Sequence, residues 1–171
     1  LSPELMGERV EPRKGAKPWD VKLMGVLGIL LLVRYIVAGF DRRFGWSGGF
    51  PLAAQIAALV LSAGGYALFA WATASNAYFS RIVRLQAERA HSVASGGPYR
   101  FVRHPGYLGA IVYELAVAVL LGSWWAGLVG LVNALLLILR TALEDRDLQA
   151  GLPGYAEFAA RVRYRLVPGV W

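Results

Sequence analysis

The chain has 171 residues, of which 57% are hydrophobic, and its mean hydropathy is +0.47. This composition is too apolar for an ordinary soluble domain and indicates an integral membrane protein, so we attribute the net charge of +7 to membrane topology, with no nucleic acid partner. Because the chain has no cysteine and only two histidines, we expect no disulfide, no thiolate catalysis and no metal site.

Four segments are long and apolar enough to cross a bilayer, which takes about 20 helical residues. In chain order they are 21–40, 52–74, 106–122 and 123–139. The last two follow each other so closely that they form a tight antiparallel hairpin, with Trp124 and Trp125 at the membrane–water interface. The fold class predicted is therefore all-α, an integral membrane bundle of about four transmembrane helices.

Basic residues are distributed unevenly among the segments that flank these helices. Their numbers in chain order are 5, 2, 5, 0 and 5. By the positive-inside rule, both ends of the chain and the long connection 75–105 face the cytoplasm. We predict one domain over 1–171, with a polar cytoplasmic lead-in (1–20), transmembrane helices (21–140) and a cytoplasmic amphipathic tail (141–171), in a bacterial inner membrane.

The segment 96–109, GGPYRFVRHPGYLG, concentrates cationic, aromatic and turn-forming residues at the mouth of the third apolar segment. Pro105 disfavours helical dihedrals at His104, which places His104 at a helix start. Free N–H groups there, beside Arg100 and Arg103, suit a carboxylate or phosphate. An alternative role for the two arginines, taken alone, is to anchor the chain to lipid headgroups. The composition of the whole segment favours a bound polar ligand at the cytoplasmic boundary.

A second polar cluster ends the last apolar segment. Arg140 and Glu144 are spaced i,i+4 and share a helix face. They form either a juxtamembrane salt bridge or a ligand site in which one binds substrate and the other binds hydroxyls or an ammonium group of a cofactor.

Polar residues also lie within or at the ends of the apolar segments. Glu114 is a candidate for substrate binding because an intramembrane carboxylate is often functional. The alternative is a structural hydrogen bond to Asn133 or Arg34. Asn76 and Phe79, at the end of the second helix, either line the mouth of a lipid pocket or fill the interface.

These residues resemble the isoprenylcysteine carboxyl methyltransferase family and the related phospholipid methyltransferases. The matching strings are GPYRFVRHPGYLG at 97–109, the helix end with Arg140, Glu144 and Asp145, and the tail from Leu152 to Trp171. The similarity covers most of 20–171 and is most specific from 96 onward. The chain departs from the family pattern at Asp145, where a glutamate is common.

The resemblance implies a membrane enzyme that uses S-adenosylmethionine. Carried over by position, its cofactor-binding residues are His104, Tyr107, Leu108 and Glu144, and the same string adds Arg103 and Tyr99 as candidates. Arg140 is implied to position the substrate or to take part in catalysis, together with Glu144.

We therefore expect a methyl group to be transferred to a lipid-like or prenylated acceptor, on its carboxylate. A sulfonium methyl is already activated, so a carboxylate nucleophile needs alignment more than a base, and Arg140 can orient it bidentately. An amine acceptor, as in phospholipid N-methylation, would need a base such as Glu114 or Glu144. The alternatives outside this class are an NADPH-dependent membrane reductase, although no glycine-rich dinucleotide fingerprint is present, and a non-catalytic scaffold.

Overall fold

The computed structural model describes residues 17–76 and 92–171, and within these ranges all regular structure is helical. The helices are α1 (Pro18–Phe44), α2 (Leu52–Ala74), α3 (Pro105–Leu120), α4 (Trp124–Gly151) and α5 (Tyr155–Arg161), with a 3-10 helix at Gly97–Arg100. The predicted all-α membrane bundle is confirmed.

Three of these helices, α1, α2 and α4, are long and apolar enough to cross a membrane, and α3 is a shorter apolar helix. All four predicted segments are thus helical. At a rise of 1.5 Å per residue, the 16 residues of α3 span about 24 Å. The hairpin turn after it is made by Gly122, whose φ of 69° is left-handed, and by Ser123, whose Oγ accepts a hydrogen bond from the Ala126 amide at the start of α4.

Helix α4 continues through the boundary that we predicted at residue 140. Its 28 residues span about 42 Å, which exceeds the hydrocarbon core of a bilayer. The apolar run stops at Arg140, but most of the residues that follow, up to Gly151, are good helix formers. As a result, the cluster from Arg140 to Asp145 lies within α4, as the i,i+4 spacing of Arg140 and Glu144 predicts.

The helices pack in the order α1–α4–α3–α2, and α1 runs antiparallel to α4. At one end, Asp20 of α1 pairs with Arg140 of α4. At the other end, Ser123 donates a hydrogen bond to Asp41. We call the end with Asp20 and Arg140 the site end, because the segment 96–109 also reaches α4 there.

The crossing of α2 and α3 is formed by two glycines in backbone contact. A Cβ added to Gly109 would lie 2.5 Å from the Gly65 carbonyl oxygen and 2.8 Å from the Phe69 amide nitrogen. Neither backbone atom can move without shifting a helix. The close approach that Gly109 permits is therefore between two helices.

We expect Gly109→Ala to destabilise the bundle by about 1–3 kcal/mol, the usual cost of forcing extra volume into a packed interior. The matched control is Gly28→Ala in α1, where a Cβ would meet nothing within 4 Å. Thermal unfolding in detergent would show a lowered midpoint for the first variant only. An equal midpoint for the two variants would contradict the steric account.

Candidate active site

The entrance to α3 is built as the sequence predicts. His104 precedes the helix with φ −128° and ψ 60°, and Pro105 is the first helical residue. The backbone amides of Arg103 and His104 donate to the carbonyls of Tyr164 and Arg165, both at 2.9 Å. The tail is therefore bonded directly to the start of α3.

Asp145 is the centre of a buried cluster that joins α3, α4 and the tail. Its carboxylate is fully buried. It is contacted by Arg103 Nε at 2.7 Å, Arg165 Nε at 2.8 Å, Tyr155 Oη at 2.9 Å, Gln149 Nε2 at 2.7 Å and His104 Nε2 at 3.2 Å. Burial raises the pKa of Tyr155, and the Asp145 carboxylate raises it further, so this hydroxyl stays protonated and donates to Asp145.

The role of Asp145 was missed from the sequence, where this residue stood out only as a departure from the family pattern. A signal was present, since Asp145 belongs to a short acidic stretch, with Glu144 and Asp147, that lies between a basic segment and a basic tail. Arg103 also donates through Nη1 to the carbonyls of Val162 and Arg163, at 2.9 and 2.8 Å. The contacts of Arg103 thus fix the tail against α3.

Tyr107, Arg140 and Glu144 come together beside this cluster. The Tyr107 hydroxyl donates a hydrogen bond to the Glu144 carboxylate. The Arg140 guanidinium carbon lies 5.2 Å from the centroid of the Tyr107 ring, within the range of a cation–π contact. The His104 ring lies 5.8 Å from the Tyr107 ring at an interplanar angle of 27°. The structure therefore brings together residues predicted from two separate motifs.

Arg140 has an acidic partner that sequence reasoning missed. Its Nε and Nη2 atoms donate to the two carboxylate oxygens of Asp20, at 2.7 and 3.2 Å. Both side chains are almost completely buried. Nothing in the sequence pointed to this pair, because Asp20 belonged to the segment predicted as a polar lead-in.

Two other predicted residues meet at the end of α2. The amide of Asn76 donates to the hydroxyl of Tyr99 at 3.3 Å. Tyr99 lies in the 3-10 helix, and its burial raises its pKa. Leu108 is half-buried next to Tyr107 in α3, and Phe79 lies outside the described residues.

Glu114 lies deeper in the bundle, about 10 Å along α3 from Tyr107 by helical rise. It forms an ion pair with the fully buried Arg34 of α1 and accepts a hydrogen bond from Asn133 Nδ2 at 3.1 Å. Both partners that the sequence analysis named are present. These contacts tie α1, α3 and α4 together, and substrate binding by Glu114 stays a prediction.

The helices are apolar and end in a buried polar cluster, in which a carboxylate, a guanidinium and aromatic rings are in contact. These features define a membrane-integral protein with a candidate site at one end. Comparison with known protein families identifies which membrane protein family the chain belongs to. The model of the isoprenylcysteine carboxyl methyltransferase (ICMT) family matches residues 56–150, more than half of the chain. The chain belongs to this family and is a membrane methyltransferase of the isoprenylcysteine carboxyl methyltransferase type.

The matched region covers most of α2, the segment 96–109, α3 and nearly all of α4. Helix α1 and the tail from α5 onward lie outside it, so Asp20 and the tail's contacts to Asp145 are features of this chain that the match does not include. No curated protein matches the chain.

Proposed function

We propose that the protein transfers a methyl group from S-adenosylmethionine to the carboxylate of a prenylated or lipid-like acceptor at the site end. The observation that carries the proposal is the contact of Tyr107 with both Arg140 and Glu144. In this contact a guanidinium lies over the Tyr107 ring and a carboxylate accepts from its hydroxyl, and we assign one of these groups to each partner of the reaction.

The residues present fit the chemical groups of the cofactor. Glu144 is half-buried, and within the described residues Tyr107 is its hydrogen-bond donor. A carboxylate has about four acceptor positions, so Glu144 can also accept from ribose hydroxyls or an ammonium group. The rings of His104 and Tyr107, with Leu108 and Tyr99 nearby in the chain, offer apolar and aromatic surface for a nucleobase. When bound, the cofactor supplies an activated methyl group on a sulfonium.

Arg140 is the residue proposed to hold the acceptor. A carboxylate is ionised at neutral pH and needs no general base, so the requirement on the protein is alignment. A guanidinium pairs with a carboxylate in a fixed planar geometry. In this proposal Arg140 and Glu144 are catalytic, and Arg103 acts by keeping the tail and α3 in place.

The apolar part of the acceptor would come from the bilayer. The outward faces of α2 and α4 expose large apolar side chains, as expected of surfaces in contact with lipid. Asn76, Phe79 and Glu114 are the residues proposed to line its path. The site end is proposed to face the cytoplasm of a bacterial inner membrane, since it also carries the tail arginines whereas the far end of α1 carries only Arg42 and Arg43.

We expect S-adenosylmethionine and S-adenosylhomocysteine to raise the thermal midpoint of the detergent-purified protein, and Glu144→Gln to abolish that shift. A ligand at 100 times its Kd stabilises the folded state by about 2.7 kcal/mol, which is measurable as a midpoint shift. The control is Glu157→Gln, which changes an exposed acid on α5 and should leave the shift intact.

Other outcomes would overturn the proposal. A shift with NADPH alone would support a membrane reductase, and no shift with any of the three ligands would support a non-catalytic scaffold. The acceptor is tested with radiolabelled methyl donor and two probes, an N-acetylated S-prenylcysteine and phosphatidylethanolamine. A methyl ester releases volatile methanol in alkali whereas an N-methyl group does not, so label that resists alkali would show amine methylation.

A further inference from the structure

We infer that Asp20 is a positioning residue for the methyl transfer and that α1 is thereby part of the active site. This inference rests on the proposed function and extends it to a residue outside the matched family region. The step that Asp20 would control is the orientation of the Arg140 guanidinium.

The geometry of the pair is that of an orienting contact. Asp20 lies in the first turn of α1 and is fully buried, and Arg140 lies 120 residues later, on α4. The two carboxylate oxygens of Asp20 face Nε and Nη2 of Arg140 at 2.7 and 3.2 Å. A bidentate pair of this kind fixes the plane of the guanidinium as well as its position.

The pair is continuous with the proposed reaction site. The plane that Asp20 fixes lies over the Tyr107 ring, and the Tyr107 hydroxyl contacts Glu144. Any donor that Arg140 turns toward an acceptor carboxylate is held in the plane that Asp20 fixes through Nε and Nη2.

A purely structural role explains this arrangement less well. Other contacts already hold α1 in the bundle, namely Lys17 with Asp147 at 3.6 Å, Arg34 with Glu114, and Asp41 with Ser123. A buried ion pair is also a weak source of stability, because the cost of removing both charges from water offsets their attraction. What the Asp20–Arg140 pair adds is a defined orientation.

The test compares Asp20→Asn and Asp20→Glu with a matched control, Asp147→Asn. The control removes the ion pair between Lys17, the residue before α1, and α4 at the same end, without touching Arg140. We expect Asp20→Asn to lower kcat on N-acetylated S-prenylcysteine by about 100-fold, the effect of misplacing a reacting group by roughly 1 Å. Asp20→Glu should recover part of this loss, and Asp147→Asn should behave as wild type.

Two readouts separate positioning from folding. The midpoint shift with S-adenosylhomocysteine should persist in Asp20→Asn, because Glu144 and Tyr107 are unchanged. In a background of Arg140→Gln, Asp20→Asn should cause no further loss of kcat, since Asp20 acts through Arg140. Binding provides a readout without turnover, because Arg140 keeps its charge in Asp20→Asn, so this variant should still bind the S-prenylcysteine more tightly than its carboxamide while its kcat falls.

The inference is overturned if Asp20→Asn keeps its kcat, if its loss of kcat persists in the Arg140→Gln background, or if Asp147→Asn loses as much. If Asp20→Asn does not fold, the double variant Asp20→Asn with Arg140→Gln replaces it, because this variant leaves no unpaired charge. The kinetic test is then made with Asp20→Glu. Failure of the proposed function itself would show differently, as a wild-type protein that neither shifts with S-adenosylhomocysteine nor methylates the probe.

Discussion

Replacing Asp145 with alanine is expected to destabilise the folded protein by about 3–5 kcal/mol, the usual cost of removing one partner from a buried ion pair. Asp145 is the shared partner of Arg103, which is buried, and of Arg165, which is half-buried. Without the carboxylate, both guanidinium groups lose their acidic partner at the junction of α3, α4 and the tail. The Tyr155 hydroxyl loses its carboxylate acceptor as well and keeps the contact with His104 Nε2 at 3.3 Å.

Unfolding of detergent-solubilised Asp145→Ala, followed by heat or by titration with a denaturing detergent, measures this effect. The control is Asp147→Ala, which loses a longer ion pair, to Lys17 at 3.6 Å, whose side chains are both partly accessible to solvent. A long and solvent-accessible pair contributes about 0–1 kcal/mol, so this variant should remain closer to wild type than Asp145→Ala. Limited proteolysis gives a second test, because the tail of Asp145→Ala should be cleaved first. Equal stability of the two variants would show that the Asp145 cluster does not hold the tail in place.

The helices could be predicted because their signals are local. Apolar length identifies membrane segments, and Pro51 and Pro105 mark the starts of α2 and α3. The segment 52–74 coincides with α2 at both ends. The last apolar segment ends at 139, where hydropathy falls, whereas α4 continues to Gly151 because helix propensity persists until Gly151 and Pro153 interrupt the helix.

The partners of buried charged residues could be predicted only where few polar side chains were available as candidates. Within the apolar parts of α1, α3 and α4, Glu114 has few polar residues available, and Asn133 and Arg34 were both named correctly. At the site end, many arginines and acids lie within reach of one another. The pairing of Asp20 with Arg140 depends on how α1 packs on α4, and a charge pattern does not contain that information.

The largest effect on activity is expected from Arg140→Lys, which should slow methyl transfer by about 100-fold or more, equivalent to about 2.7 kcal/mol of transition-state free energy. Lysine keeps the positive charge, so a role of simple charge attraction would survive the change. It cannot keep the planar fork that pairs with Asp20 and lies over the Tyr107 ring. The loss should therefore appear in kcat with N-acetylated S-prenylcysteine, while the midpoint shift with S-adenosylhomocysteine persists.

Arg161→Lys on α5 is the matched control, because Arg161 is exposed and should tolerate the change. A kcat for Arg140→Lys within about fivefold of wild type, a difference of about 1 kcal/mol, would mean that charge alone suffices at this position. That result would also remove the reason for Asp20 to hold the guanidinium in one plane. The variant therefore distinguishes a site that aligns its acceptor through geometry from one that only attracts it.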